Sequence, residues 1–225
     1  MRSGTRQWEK KWLVTSVGTT SPDKEHFVAT DYGKLTEQLC RFYDFAGKQV
    51  LFVGAAGRQL LDASARARKL IAIDKDAAAL QALQASVAAQ GMEESVEVVA
   101  ADFREVTLHG DVVYFEFCFH EMDDPELALR HAKVLAPEIV VYDHSAGSEW
   151  IFYGAEEDKV GHSSAVIERF GIRRREKLLA EQRFATFEEL LAKVAPQGAL
   201  AIERIQRFKG MAEIVIPMRY ELNLL

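Results

Sequence analysis

Apolar and polar residues change rhythm twice along this chain, and the changes divide it. Over residues 1–47, Trp8, Trp12, Phe27 and Tyr32 stand among charges, and Leu35, Leu39, Phe42 and Tyr43 recur at helical spacing. That spacing predicts an amphipathic helix over 31–45, with Asp31 available as its cap. The early aromatics read either as part of a cap over a pocket or as packing of the first helices on the rest of the fold. From residue 49 the pattern becomes short, continuously apolar runs: 49–53, 69–74, 96–100, 111–117 and 139–142. Such runs are what a strand buried on both faces shows. Between them lie helix formers: 58–67, the Ala-, Leu- and Gln-rich 76–90 closed by Gly91, and 125–135, with Pro125 in its first turn and Asp123 or Asp124 as cap. Alternating buried strands and helices predict a parallel sheet covered on both faces.

The tail breaks that alternation. Thr186 and Glu189 form a capping-box pattern ahead of a helix over 187–194. Residues 199–207 and 211–219 flank Phe208-Lys209-Gly210 and are expected to form an antiparallel strand pair. Residues 145–185 read as helices and loops crossing the mouth of the sheet, with 173–175, three arginines, as a solvated helix turn.

The 225 residues fit one sizeable domain, and 48% apolar with 28% charged content is ordinary for a globular chain. No apolar run reaches the roughly 20 residues of a membrane helix, and no signal-peptide core follows the N-terminus. Two cysteines, Cys40 and Cys118, suit a reducing compartment, so a soluble, cytoplasmic protein is expected. A net charge of −6 argues against a nucleic-acid partner. The charge is concentrated: residues 111–160 hold twelve acids against three bases. Part of this reads as helix-start acids and a solvated face at Glu156, Glu157 and Asp158. The remainder is a candidate negative vestibule that favours a cationic or amine substrate.

Ligands of open parallel sheets bind beyond the carboxyl ends of the strands. Those ends carry Gly54-Ala55-Ala56-Gly57, then Asp74-Lys75 (Asp74 lies 20 residues past Gly54), Ala101-Asp102-Phe103, the stretch from Glu116 and Phe117 to Pro125, and Asp143-His144. Small residues admit a ligand close to the backbone, and a carboxylate at the second tip can take two ribose hydroxyls. Asp102 beside Phe103 can grip and stack an adenine. Together they point to a nucleoside-containing cofactor.

Those same residues, with the 119–125 stretch and the terminal strands, resemble the class I S-adenosylmethionine-dependent methyltransferases from about residue 48 to the end. The resemblance implies an α/β, Rossmann-like fold: a seven-stranded, mostly parallel sheet with an antiparallel C-terminal strand and helices on both faces; residues 1–47, ahead of it, are expected to form a helical cap. It implies S-adenosyl-L-methionine as cofactor. The glycine loop would lie against the methionine part, Asp74 on the ribose, Asp102 on the adenine amino group with Phe103 adjacent, and the backbone at Glu116 and Phe117 over the methionine. The sequence departs from the family at Phe52, where an acid is usual, and at Ala56, where a glycine is usual. The alternatives are a nicotinamide dinucleotide oxidoreductase, which the missing third glycine disfavours, and a non-catalytic cofactor-binding scaffold.

For chemistry, His120, Glu121 and His144 stand at the ends of the fourth and fifth strands, placed to act on a small-molecule acceptor. His120, Glu121, Asp143, His144 and Glu149 also offer nitrogen and oxygen donors to a metal. No pair has an established ligand spacing, so none is assigned. Cys118 reads as packing. Neither the acceptor nor the oligomeric state follows from the sequence.

Overall fold

The computed structural model describes residues 32–54 and 66–225. Trp8, Trp12, Phe27, the Asp31 cap, Ala55, Ala56, Gly57 and the helix expected over 58–67 lie outside the described residues.

Strand β1 (Gln49–Val53) alternates its side chains between two cores. Val50 and Phe52 join one apolar cluster, Leu51 and Val53 the other, and all four are essentially buried. The same split runs through β2 (Lys69–Asp74), β4 (Val112–Glu116) and β5 (Glu138–His144). A strand with a core on each side has no polar face, which is why these runs read as continuously apolar. Helix α1 (Tyr32–Phe42) lays Leu35, Leu39 and Phe42 into the first cluster, so the described part of the first 47 residues packs on the sheet. Burying each such side chain contributes about 1.5–3 kcal/mol.

Helix α2 (Ala77–Ala89) buries Leu80, Leu83 and Val87, one helical face, and returns the chain to β3 (Val96–Ala100). Asp76 caps it, its Oδ1 accepting from the amides of Ala78 at 2.8 Å and Ala79 at 3.2 Å. Helix α3 (Pro125–Leu135) starts on Asp124, whose Oδ1 accepts from Leu127 N at 2.9 Å, one of the two caps expected. The sheet order is β3-β2-β1-β4-β5-β7-β6, with the first five strands parallel. Strand β7 (Ile214–Leu224) runs antiparallel to β5 and to β6 (Arg174–Phe184). Strand order reverses between β1 and β4, so the ligand crevice belongs at the tips of these two strands.

The tail is where the expectation fails. Residues 199–205 are a helix, α7, and the strand paired with β7 is β6, from the stretch expected to be helix and loop. In α7, Ala201 and Ile205 are buried four residues apart, a helical period. Strand β6 is an edge strand in which only Leu178, Gln182 and Phe184 are buried. Its other positions are mostly charged, as exposed edges are, so no apolar alternation announced it. The arginines at 173–175 enter this strand, Arg175 pairing with Glu168 at 2.5 Å and Asn223 at 2.7 Å. Helix α4 (Glu149–Tyr153) packs on β7 and α5 (Glu157–Phe170) on the turn at 119–121, and α6 (Phe187–Val194) starts at the expected Thr186 cap.

Candidate active site

The β1 tip closes on the β4 tip at Gly54. Its φ is +88°, a conformation favouring glycine, and a Cβ there would lie 2.6 Å from Cys118 Sγ, 2.8 Å from Cys118 Cβ and 3.2 Å from the Glu116 carbonyl. The Cys118 thiol donates to the Val53 carbonyl at 3.2 Å, and burial pushes its pKa up. Cys118 is thus a packing residue, as expected, and it seals the floor of the crevice.

Above that floor lies a cleft holding about 760 Å³ of empty space, solvent mouth included. The tips of β2 and β3 meet in its wall: Asp74, Lys75, Ala101, Asp102 and Phe103 all line it, with Gly54. Asp74 Oδ1 accepts from Asp76 N at 2.9 Å, which fixes the turn out of β2. Asp102 is engaged by Arg104: Oδ1 accepts from Arg104 N at 2.9 Å and Nε at 3.0 Å, Oδ2 from Nη2 at 2.6 Å. These bonds hold its carboxyl well below the usual carboxylate range. Phe103 lines the cleft beside Asp102; it is 5% exposed, and its ring meets Phe115 and His131 edge-on at 5.2 Å each.

Glu116 and Phe117 stand one step behind the cleft lining. Glu116 is buried, and Phe117 takes a positive φ of 49° and packs its ring on Tyr142, His144 and Tyr220. Glu121, Met122, Asp123 and Asp124 also line the cleft. Sequence reasoning set Met122, Asp123 and Asp124 in the strand-end stretch without giving them a site role, and it did not name Arg104.

The expected trio is brought together at the β4 and β5 tips. His120 is 6% exposed, its Nδ1 2.6 Å from Asp143 Oδ1 while its amide donates to Asp143 Oδ2 at 2.8 Å. Its Nε2 lies 3.5 Å from Glu121 Oε1 and 3.9 Å from Glu156 Oε1. Burial opposes charge on His120, but hydrogen bonds to Asp143 and Glu121 outweigh it and push the pKa up to about 10. The His120 hydrogen bond in turn pulls Glu121 down to about 2, with help from Lys159 at 2.7 Å. His144 meets the His120 ring at a centroid distance of 5.3 Å, and burial pushes its pKa down to about 4. Glu149 is exposed and takes no part, whereas Glu156, expected on a solvated face, is 7% exposed. The residue before it, Ala155, takes a φ of 57°, and no sequence pattern carries that.

Residues 51–139, from β1 into β5, match the family model of the methyltransferase domain. They form a methyltransferase domain. S-adenosyl-L-methionine is the cofactor of this family. No curated protein matches the chain. Among solved structures the methyltransferase domain and its flanks resemble YcgJ of Bacillus subtilis, at 13% identity and a TM-score of 0.61, covering 85% of this chain and 96% of that one. A SAM-dependent methyltransferase from Aquifex aeolicus aligns at 19% identity and a TM-score of 0.53, covering 87% and 89%. The precorrin 8W decarboxylase of Methanobacterium thermoautotrophicum aligns at 13% identity and 0.56, covering 85% and 88%. At such identities the likeness shows the fold, and a fold hosts more than one chemistry. No described helix is long and apolar enough to cross a membrane.

Proposed function

We propose that the methyltransferase domain moves a methyl group from S-adenosyl-L-methionine to a small-molecule acceptor, cationic or uncharged, with amines the first class to test. The observation that carries this is the sharing of one cleft by the Asp74 and Asp102 tips and Glu121. The cofactor supplies a positively charged sulfonium whose methyl is displaced in line by the acceptor. Asp74 would take the ribose hydroxyls and Asp102 the adenine amino group, for a carboxylate oxygen has lone pairs left after the Arg104 contacts. Gly54 would let the methionine part approach the backbone, with Ala101 and Lys75 beside the nucleoside.

The described lining includes five carboxylates, Asp74, Asp102, Glu121, Asp123 and Asp124, against two bases, Lys75 and Arg104. A wall of that sign attracts a sulfonium and a cationic acceptor and repels an anionic one. Glu121 is the group that meets the acceptor, since it both lines the cleft and stays ionised at neutral pH. His120 and Asp143 hold it from behind, and His144 closes the same corner. The negative net charge of the chain also speaks against a nucleic-acid acceptor.

The test is incubation of the full chain with methyl-labelled cofactor and a panel of amines, phenols and carboxylic acids, beside a fractionated cell extract. Label should pass to amines faster than to carboxylates. Faster labelling of carboxylates would overturn the charge argument, and cofactor binding without transfer to any component would overturn the catalytic reading.

A further inference from the structure

We propose that His120, His144 and Glu156 form a binding site for one divalent first-row cation at the acceptor side of the cleft. For its role in methyl transfer the proposal rests on the function given above; for metal binding it stands alone. Three separate elements deliver the donors: His120 follows β4, His144 ends β5, and Glu156 immediately precedes α5. One ligand atom from each lies within 4.8 Å of the others.

The geometry around His120 is that of a prepared ligand. Its Nδ1 is committed to Asp143 at 2.6 Å, which leaves Nε2, 3.5 Å from Glu121 Oε1 and 3.9 Å from Glu156 Oε1, as the nitrogen that can turn to an ion. A carboxylate behind one ring nitrogen fixes the tautomer and raises the basicity of the other, as behind metal-bound histidines generally. A separation of 3.9 Å is too long for a hydrogen bond. Two ligands at about 2.0–2.2 Å from one tetrahedral ion sit roughly 3.4 Å apart, so small closing movements suffice. His144 Nδ1 is buried with no hydrogen-bond partner among the described residues, a state that costs free energy in a fold otherwise well bonded.

Charge points the same way. Asp143, Glu121 and Glu156 bring three carboxylates to one corner, two of them buried, and Lys159 is the lysine paired there, on Glu121. A divalent ion on two neutral imidazoles would bring that corner to neutrality. The donor set of two histidines and one carboxylate suits Zn²⁺, Mn²⁺ or Fe²⁺, and three protein ligands leave positions open for an outside molecule. Because Glu121 joins this corner to the cleft, the open positions fit an oxygen of the acceptor. The inference narrows the acceptor to molecules bearing a hydroxyl near the methylated centre.

The test is titration of the chelator-stripped full chain with Zn²⁺ and Co²⁺, followed by calorimetry and by Co²⁺ absorption. One equivalent per chain is expected, with the ligand-field bands of a low-symmetry nitrogen and oxygen site. His144→Ala and Glu156→Gln should each weaken binding by about 100-fold, and Asp143→Asn by about 10–100-fold. Thermal melting and binding of S-adenosylhomocysteine, read on the same variants, separate loss of the ion from loss of the fold. Absence of stoichiometric binding, or affinity in His144→Ala and Glu156→Gln equal to that of the parent, overturns the site. Cofactor binding with full transfer in chelator would overturn the ion's role and leave the methyltransferase reading intact. Stoichiometric metal without cofactor binding would do the reverse.

Discussion

Gly54 is the residue on which the crevice closes, and Gly54→Ala is the sharpest perturbation of it. Two costs are readable from the structure. The φ of +88° requires an L-residue to adopt a left-handed conformation, at about 1–2 kcal/mol. The new Cβ would also stand 2.6 Å from Cys118 Sγ and 2.8 Å from its Cβ, contacts that force a shift of the β4 tip. Overpacking of this kind costs about 1–3 kcal/mol. Together they predict a loss of roughly 2–5 kcal/mol, or about 4–20 °C in Tm for a chain of this size. Urea denaturation of Gly54→Ala, Cys118→Gly and the double variant separates the two. Cys118→Gly removes the atoms that clash and leaves the backbone conformation, so coupling of about 1–3 kcal/mol is expected between the sites. A Gly54→Ala protein within about 0.5 kcal/mol of the parent, or additivity with Cys118→Gly, would refute the closed-tip reading.

Two further outcomes come from the electrostatics. Arg104 holds the Asp102 carboxyl below the ordinary range, so Arg104→Ala should let it titrate nearer its usual value. S-adenosylhomocysteine binding by that variant, followed by calorimetry against pH, should begin to weaken at a higher pH than in the parent; an unchanged profile removes Asp102 from the adenine site. Glu138 is the second case: burial would raise its pKa, but the Lys48 hydrogen bond at 2.7 Å and the Tyr43 hydroxyl outweigh burial and lower it. A depressed folded-state value stabilises above the unfolded glutamate pKa and is lost as pH falls through the folded one. Glu138→Gln should therefore flatten the acid limb of the stability curve below about pH 4.5, and an equally steep limb would show that the cluster adds nothing.

The sheet was legible because its strands are buried on both faces and its helices are amphipathic; β1, β2 and β3 begin and end where the apolar runs do. Those runs also located Asp74, Asp102 and Glu121, since a strand tip is a place that local sequence can mark. The edge strand β6 was not legible, because an exposed charged edge lacks the alternation by which a half-buried strand is known. Phe103 was legible as a cleft residue beside Asp102, whereas its ring contacts with Phe115 and His131 were not, since local sequence does not show them. Glu156 was hidden by its neighbours Glu157 and Asp158, which make the run look like a solvated face. It is nonetheless 7% exposed, just after a positive φ at Ala155 that no sequence pattern announces.

At the centre stands the meeting of the Asp74 and Asp102 tips on one nucleoside. A crystal structure of the full chain with S-adenosylhomocysteine tests this most directly. The account predicts both ribose hydroxyls within hydrogen-bond distance of Asp74 and the adenine amino group within reach of Asp102. A nucleoside bound elsewhere, or with its ribose turned away from Asp74, would contradict it.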